Sequence, residues 1–349
     1  MTAQRRKKKT KKRNIDKKSL LKTLFIIFGV LVLIFLLYRL FVLISFKVSS
    51  VELQDEELST DTALVNTLFI SSNDNRINNI EVVVYSKDRE RFLRIDIPTN
   101  IYTVNEKNDS FPLSSLIEVG DFLENNSGKS YTIKYLGTLL GLKFDNYVWL
   151  DGSDSNLEKF ISDLSIFNIL FNFKYNSDLE NNLYSNLPIL NLIKEVNFLN
   201  QVYNNYQYEE FDVLDCCVEQ FIISNNIQEW RFDTGSFDQE LSKYIGELVS
   251  REVERERVNV EVYNASDING LASTYARKIR HTGCRILRFD NSPSVQEVTT
   301  IYVPEPENYK NSLQLIKDVV GEGVEVKYER PLFITTGDII LVLGKDLQN

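Results

Sequence analysis

The chain has 349 residues and a mass of 40.5 kDa, too long for one compact core at roughly 100 to 200 residues per domain. Its 43% hydrophobic and 26% charged content excludes both a disordered polyelectrolyte and a multi-span membrane protein. One histidine, His281, and three cysteines, Cys216, Cys217 and Cys284, exclude multi-histidine zinc sites, four-cysteine zinc sites and a disulfide framework.

The net charge of −9 conceals a split along the chain. Residues 1–22 hold eleven Lys and Arg against Asp16 alone, whereas the remainder holds 29 basic and 48 acidic residues. This basic arm abuts Leu24 to Phe46, a run whose only charge is Arg39. As a helix rising about 1.5 Å per residue the run spans roughly 34 Å, one membrane crossing over 23–46. A buried core helix would keep a polar face, which this run lacks. No small-x-small cleavage pattern follows Phe46, so the anchor is read as uncleaved. The basic flank predicts a cytoplasmic N-terminus, and Arg39, near the outer end, is expected to snorkel towards the headgroups. The arm is expected to set topology and attract anionic lipid rather than bind nucleic acid. Everything beyond Lys47 is then extracytoplasmic. There Cys216 and Cys217 are expected as buried free thiols, poorly placed to bridge each other.

After a polar linker, 47–63, strands are predicted at Leu64–Ile70, Ile80–Tyr85 and Phe92–Ile97, the last ending at Pro98, which cannot donate to a ladder. They open a mixed sheet. Apolar spacing predicts a helix over Ser130–Leu140 stopped by Gly141, a strand at Tyr147–Leu150, and one amphipathic helix over Leu157–Ile169. From Asn168 to Asn205 there are eleven asparagines, yet Leu187, Leu190, Ile193, Val196 and Leu199 keep helical spacing. A last helix, Phe237–Val253, runs into the charged segment Ser250–Arg257, where a domain boundary is placed.

The C-terminal segment is a second α/β unit. Val258–Tyr263 alternates as a strand and Asn264–Asp267 turns. Ile268, Leu271, Ala272, Tyr275, Ala276 and Ile279 form one helix face closed by Gly283. Strands at Arg285–Phe289, Val298–Val303, Val324–Tyr328 and Asp338–Leu343 and a helix over Asn308–Val320 complete a small sandwich. Its carriers, Val260-x-Val262-x-Asn264, Gly270-Leu271-Ala272, Gly283, and the closing strand with Gly344 and Asp346, resemble the LytR_C domain found in envelope proteins of the LytR-CpsA-Psr family. That resemblance implies an envelope location.

With that prompt the middle region, 64–250, looks like a divergent LytR-CpsA-Psr catalytic domain. The corresponding stretches are Leu68–Arg76, Ile80–Lys87, Leu93–Val104, Tyr131–Gly141 and Asp145–Asp151. The resemblance implies transfer of a glycopolymer from a polyprenyl-pyrophosphate carrier to peptidoglycan, with arginines and a magnesium-linked acid holding the pyrophosphate; forked guanidinium donors and a divalent ion offset its charge. The sequence departs from that pattern. Thr99-Asn100 stands where the family has Arg-Asp after Ile97-Pro98, and no arginine occurs from Asn176 to Glu229. Asp74, Arg76 and Arg94 remain as candidate ligand-binding residues.

Other chemistries are weaker. Asn264–Gly270 lacks the glycine spacing of a nucleotide loop. His281 at a helix end reads as a cation complementing the dipole. Asp151, Asp154, Glu158 and Asp163 read as capping and solvated acids rather than a glycosidase pair.

The expected architecture is α/β: one transmembrane helix, a mixed-sheet domain and a small C-terminal sandwich at 257–346. The expected function is a non-enzymatic envelope accessory or scaffold without catalytic residues, metal or cofactor. The alternatives are an active transferase, which alone would use magnesium, and a membrane-tethered sensor. Expected partners are the membrane, peptidoglycan, an envelope glycopolymer or polyprenyl lipid, and other envelope proteins.

Overall fold

The computed structural model describes residues 17–46, 48–51, 64–104, 109–124, 127–152, 157–204, 208–223, 227–321 and 323–348. The basic arm before Lys17, most of the linker, and Asp154 lie outside the described residues.

Helix α1 (Lys17–Ser45) contains a stretch, Leu21–Ser45, long and apolar enough to cross a membrane. Arg39 does not snorkel: it is buried, and its guanidinium donates to the backbone carbonyls of Ile169 and Leu170. Those last-turn carbonyls of a short helix lack intrahelical partners, so protein rather than headgroups receives the charge.

Three strands follow, β1 (Leu64–Asn73), β2 (Arg76–Ser86) and β3 (Arg91–Ile97). The β1–β2 hairpin turns on Asp74 and Asn75, both at positive φ, 50° and 61°. That pair of left-handed residues suits the twist of the strands, and Asp and Asn adopt it at least cost. Next come β4 (Tyr102–Val104), β5 (Ser110–Pro112), α2 (Leu116–Leu123), α3 (Gly128–Leu140) and β6 (Asn146–Asp151). Gly141 closes α3 in the left-handed conformation.

The helix expected over Leu157–Ile169 is two, α4 (Leu157–Asp163) and α5 (Ile166–Phe171). Ser165 between them is extended, and its hydroxyl accepts from the Asn168 amide, starting a new helix. The asparagine-rich stretch is also divided, into α6 (Phe173–Asn182), β7 (Leu183–Ser185) and α7 (Ile189–Asn204). Pro188 biases Leu187 away from helix. Then follow β8 (Tyr208–Asp212), α8 (Val213–Cys216), β9 (Val218–Ile223), β10 (Ile227–Phe232), α9 (Thr234–Leu248) and α10 (Arg251–Glu256). The helix expected over Phe237–Val253 is thus broken at Ser250, whose hydroxyl accepts from Val253 N. Cys216 and Cys217 are joined by a disulfide between neighbours, against the expectation of free thiols. Cys284 is free and buried, and burial pushes its thiol up to about 11.

The first sheet has the order β7-β6-β1-β2-β3-β8. Strands β6, β1, β3 and β8 run one way, and β2 and β7 oppose them. Both faces are covered, which explains why successive residues of β1 and β2, not alternate ones, are buried along most of each strand. Leu68, Ile80, Val82, Leu93 and Ile95 meet α2, α3 and α9 on one side. Phe69, Val83, Tyr85 and Phe92 meet α4, α5, α7 and the end of α1 on the other. A second sheet, β5-β4-β10-β9, flanks it.

The C-terminal unit holds β11 (Asn259–Asn264), α11 (Leu271–Arg280), β12 (Arg285–Asn291), β13 (Thr300–Tyr302), α12 (Lys310–Val320), β14 (Glu325–Lys327) and β15 (Ile339–Leu343). Its sheet order is β12-β11-β15-β13-β14. Ala272, Ala276, Ile279, Ile316 and Val319 pack one face of that sheet, and Leu248, Val249 and Val253 join this core to the first sheet's. Ile268, expected on the helix face, precedes α11 and lies in the turn before it. The α/β class with an N-terminal apolar helix and mixed sheets is the one read from the sequence.

Candidate functional site

The four co-directional strands β6, β1, β3 and β8 end on one edge of the first sheet, the position where open α/β sheets bind ligands. Asp74 lies there in the β1–β2 turn, and Arg76 just after it as the first residue of β2. Asp74 has a conformational task in that turn. Arg76 reaches Glu118 at 3.8 Å, with both side chains largely exposed, an ion pair of little strength.

Beside them a polar network is built around Lys129, in the first turn of α3. Its ammonium lies 2.7 Å from Asp151 Oδ2 and 3.7 Å from the Tyr184 ring centroid. Ser72 Oγ donates to Asp151 Oδ1 at 2.8 Å and accepts from Trp149 Nε1 at 2.8 Å. Gly128 lets this turn approach α2: a Cβ there would stand 2.4 Å from the Ile117 carbonyl oxygen. The network is internally satisfied, its cation held by a carboxylate and an aromatic face.

Arg94 is elsewhere. It pairs across β2 with Val83, seven residues from Arg76 along that strand, or roughly 24 Å at strand rise. It points to the face covered by α4, where its guanidinium meets Glu81 at 3.1 Å, Asp96 at 3.3 Å and Glu158 at 3.0 Å. Burial raises the Asp96 carboxyl, and Arg94 opposes that. The structure therefore brings Asp74 and Arg76 to one edge and leaves Arg94 apart, enclosed by carboxylates. Of the four acids weighed as a glycosidase set, Asp151 holds Lys129 and Glu158 holds Arg94. Among the described residues no three His, Cys, Asp or Glu side chains gather to hold a metal ion.

The C-terminal motif residues form a framework. Asn264 Oδ1 accepts from Ser266 N and Oγ, and its Nδ2 donates to the Ile268 carbonyl, fixing the turn after β11. Gly270 caps α11 at φ 76°. Leu271 and Ala272 then pack into the core. Gly283 combines φ 96° with a contact that leaves no space for a Cβ, 2.4 Å from Val249 Cγ2. Gly344 lies as tightly against Val298, and Asp346 accepts from the amide and hydroxyl of Thr299 at 2.8 and 2.6 Å.

Two clusters escaped the sequence reading. A cleft of about 560 Å³ at the opposite edge is lined by Arg89, Arg91, Arg251, Tyr208, Glu209 and Tyr244, among others. Arg89 donates to the Val249 carbonyl and Glu254, and Arg91 pairs with Glu247. Its signal was the facing arginine-rich runs, Arg89 to Arg94 and Arg251 to Arg257. The second cluster surrounds Asp145, buried at the start of β6, whose carboxylate accepts from Asn66 N at 2.8 Å. Tyr85 donates to Glu195 beside it. Burial pushes the Asp145 carboxyl up to about 7, against the Asn66 hydrogen bond and Lys143.

Residues 257–347 match the family profile LytR_C, described as LytR cell envelope-related transcriptional attenuator, which bears out the resemblance of the C-terminal segment. No curated protein matches. Solved structures with a related arrangement include Lin1025 of Listeria innocua, 12% identical, covering 54% of this chain and 99% of that one, TM-score 0.37. Another is TagT bound to LI-WTA, 9% identical, covering 58% and 99%, TM-score 0.40. A third is yvhJ of Bacillus subtilis, described as a transcriptional regulator, 14% identical, covering 54% and 99%, TM-score 0.36. At such TM-scores the likeness carries no residue correspondence.

Proposed function

We propose that the chain is a single-pass membrane protein with a cytoplasmic N-terminus, whose units 64–250 and 257–346 lie outside the membrane and serve envelope assembly as a non-enzymatic accessory or scaffold. The matched C-terminal module, whose description ties it to the cell envelope, supports the location, and α1 supports the anchor. One observation carries the non-enzymatic reading: Arg94, the buried cation among the candidate ligand residues, is already engaged, as is Lys129 at the strand edge, and Arg76 makes only an exposed pair with Glu118. Arg94 is closed by three carboxylates, Lys129 by Asp151, and Thr99 and Asn100 bring no charge to the strand edge. Binding a pyrophosphate at Arg94 would require breaking its buried pair with Glu81, at a cost of several kcal/mol.

The test is glycopolymer transfer by purified full-length protein, from a polyprenyl-pyrophosphate carrier to peptidoglycan, with and without magnesium. No transfer is expected under either condition. Transfer above the protein-free control refutes the reading and turns attention to the Arg89, Arg91 and Arg251 cleft, which supports a transferase with rearranged phosphate ligands.

A further inference from the structure

The outer end of α1 is not bare. Leu43 and Phe46 are buried in the core that also holds Leu164 and Ile169. Arg39 closes on the last carbonyls of α5. A cation at that helix end meets both orphan acceptors and the negative end of the helix dipole. Helix α5 is thereby fastened to α1 at a fixed height. Arg39 precedes Ser45 by six residues, so α5 sits about 9 Å inside the end of the apolar helix.

A six-residue helix at that height would ordinarily cover its apolar side with protein. This one buries Ile169 in the core but leaves its other side open: Phe167 is 70% exposed, Ile166 46% and Phe171 41%. The Phe167 and Phe171 rings lie 4.9 Å apart and form a continuous apolar surface. Interfacial helices bury their apolar face about 5–10 Å into the boundary between headgroups and acyl chains, a length of the same order as the rise from Arg39 to the end of α1.

We infer that α5 is a membrane foot: Ile166, Phe167 and Phe171 insert into the outer boundary of the same bilayer that α1 crosses, with Arg39 joining foot to anchor. The inference rests on the reading of α1 as a membrane span. Two fixed points, anchor and foot, orient the first sheet relative to the membrane, where a single helix alone would leave it free to tilt. The surroundings also account for Arg39. Its charge lies within the apolar segment but is shielded from lipid by α5, the arrangement expected of a charged residue at membrane depth.

Full-length protein is placed in phosphatidylglycerol–phosphatidylethanolamine vesicles whose acyl chains carry bromine either close to the headgroup or close to the chain end. Three variants are compared with wild type, whose Trp149 and Trp230 supply the background: Phe167→Trp, Phe171→Trp and, within α1, Tyr38→Trp. The added emission of Phe167→Trp and Phe171→Trp is expected to be quenched roughly twofold more by shallow than by deep bromine, the signature of a boundary position. Quenching of Tyr38→Trp with neither foot variant quenched overturns the foot and leaves the span standing. Absence of quenching in all three removes the span and the foot together. Both foot positions are exposed, so tryptophan there leaves the core intact, and agreement between the two variants excludes a local artefact.

Discussion

Arg277 closes on both carboxylate oxygens of Asp238, Nε to Oδ2 at 2.8 Å and Nη2 to Oδ1 at 2.7 Å, and from the same fork donates to the carbonyls of Thr138 and Leu139. One guanidinium thus ties α11 of the C-terminal unit to α9 and to the end of α3. Arg277→Ala is expected to cost about 2–4 kcal/mol, because it strands a largely buried carboxylate and removes a donor from each of two helix-end carbonyls. Arg277→Lys is expected to recover little, since an ammonium cannot serve both directions of the fork. Urea unfolding measures this, and a lysine variant as stable as wild type would refute the bidentate role.

His281 stands beside this joint. Its Nδ1 lies 2.7 Å from the Gly141 carbonyl oxygen, which makes Nδ1–H the donor in the neutral ring, and its Nε2 lies 3.5 Å from Asp238. Burial holds the imidazole below its ordinary value; Asp238 and the Gly141 carbonyl oppose this, and Arg277 and Arg280 add to it. The cationic role at the helix end expected from sequence is therefore replaced by a neutral one. The sign follows: the unfolded chain takes up a proton at about pH 6.5 that the folded chain refuses, so stability is lost as pH falls below that value. As the chain's one histidine, His281 gives an unambiguous imidazole NMR titration. A folded-state midpoint at or above the ordinary value would contradict this account.

Asp145 works in the opposite direction. Raised to about 7 by burial, it keeps its proton in the folded chain while the unfolded chain releases it above about pH 4. Stability contributed by this group is present at low pH and declines as pH rises from about 4 to 7. Asp145→Asn keeps an oxygen to accept from Asn66 N and removes the charge. It is expected to stabilise the protein by on the order of 2 kcal/mol at pH 8, with the gain shrinking towards pH 4. Thermal unfolding across that range decides it, and a gain independent of pH would point to packing instead.

Much of this architecture was legible because β1, β2 and β3 are bounded by turn residues and α3 ends at a glycine. The two helices read as continuous failed for one reason. Apolar spacing persists through Ser165 and Ser250, but each serine hydroxyl caps a new helix, and a cap is invisible to periodicity. The second sheet was hidden because β4 and β5 are three residues each and β4 pairs with β10, more than a hundred residues away. The candidate site was legible only in part. Asp74 and Arg76 are neighbours in sequence and in space, whereas the carboxylates enclosing Arg94 come from β2, β3 and α4. No local pattern announces such a cluster.

The Arg94 cluster allows the sharpest separation between a framework role and a ligand role. Glu81 is 1% exposed in its side chain and Arg94 11%, so removing the arginine takes from a buried carboxylate the guanidinium that pairs with it. Arg94→Ala is expected to cost about 3–5 kcal/mol. Replacing both partners with apolar residues, Arg94→Met with Glu81→Leu, is expected to recover much of that loss, because two desolvated charges disappear together. A residue kept for an anionic ligand behaves otherwise: its removal relieves local charge and leaves stability near or above wild type. Chemical denaturation of Arg94→Met, Glu81→Leu and the double variant gives the coupling directly. A coupling near zero, with a stable Arg94→Ala protein, would return Arg94 to the list of ligand candidates and weaken the scaffold reading.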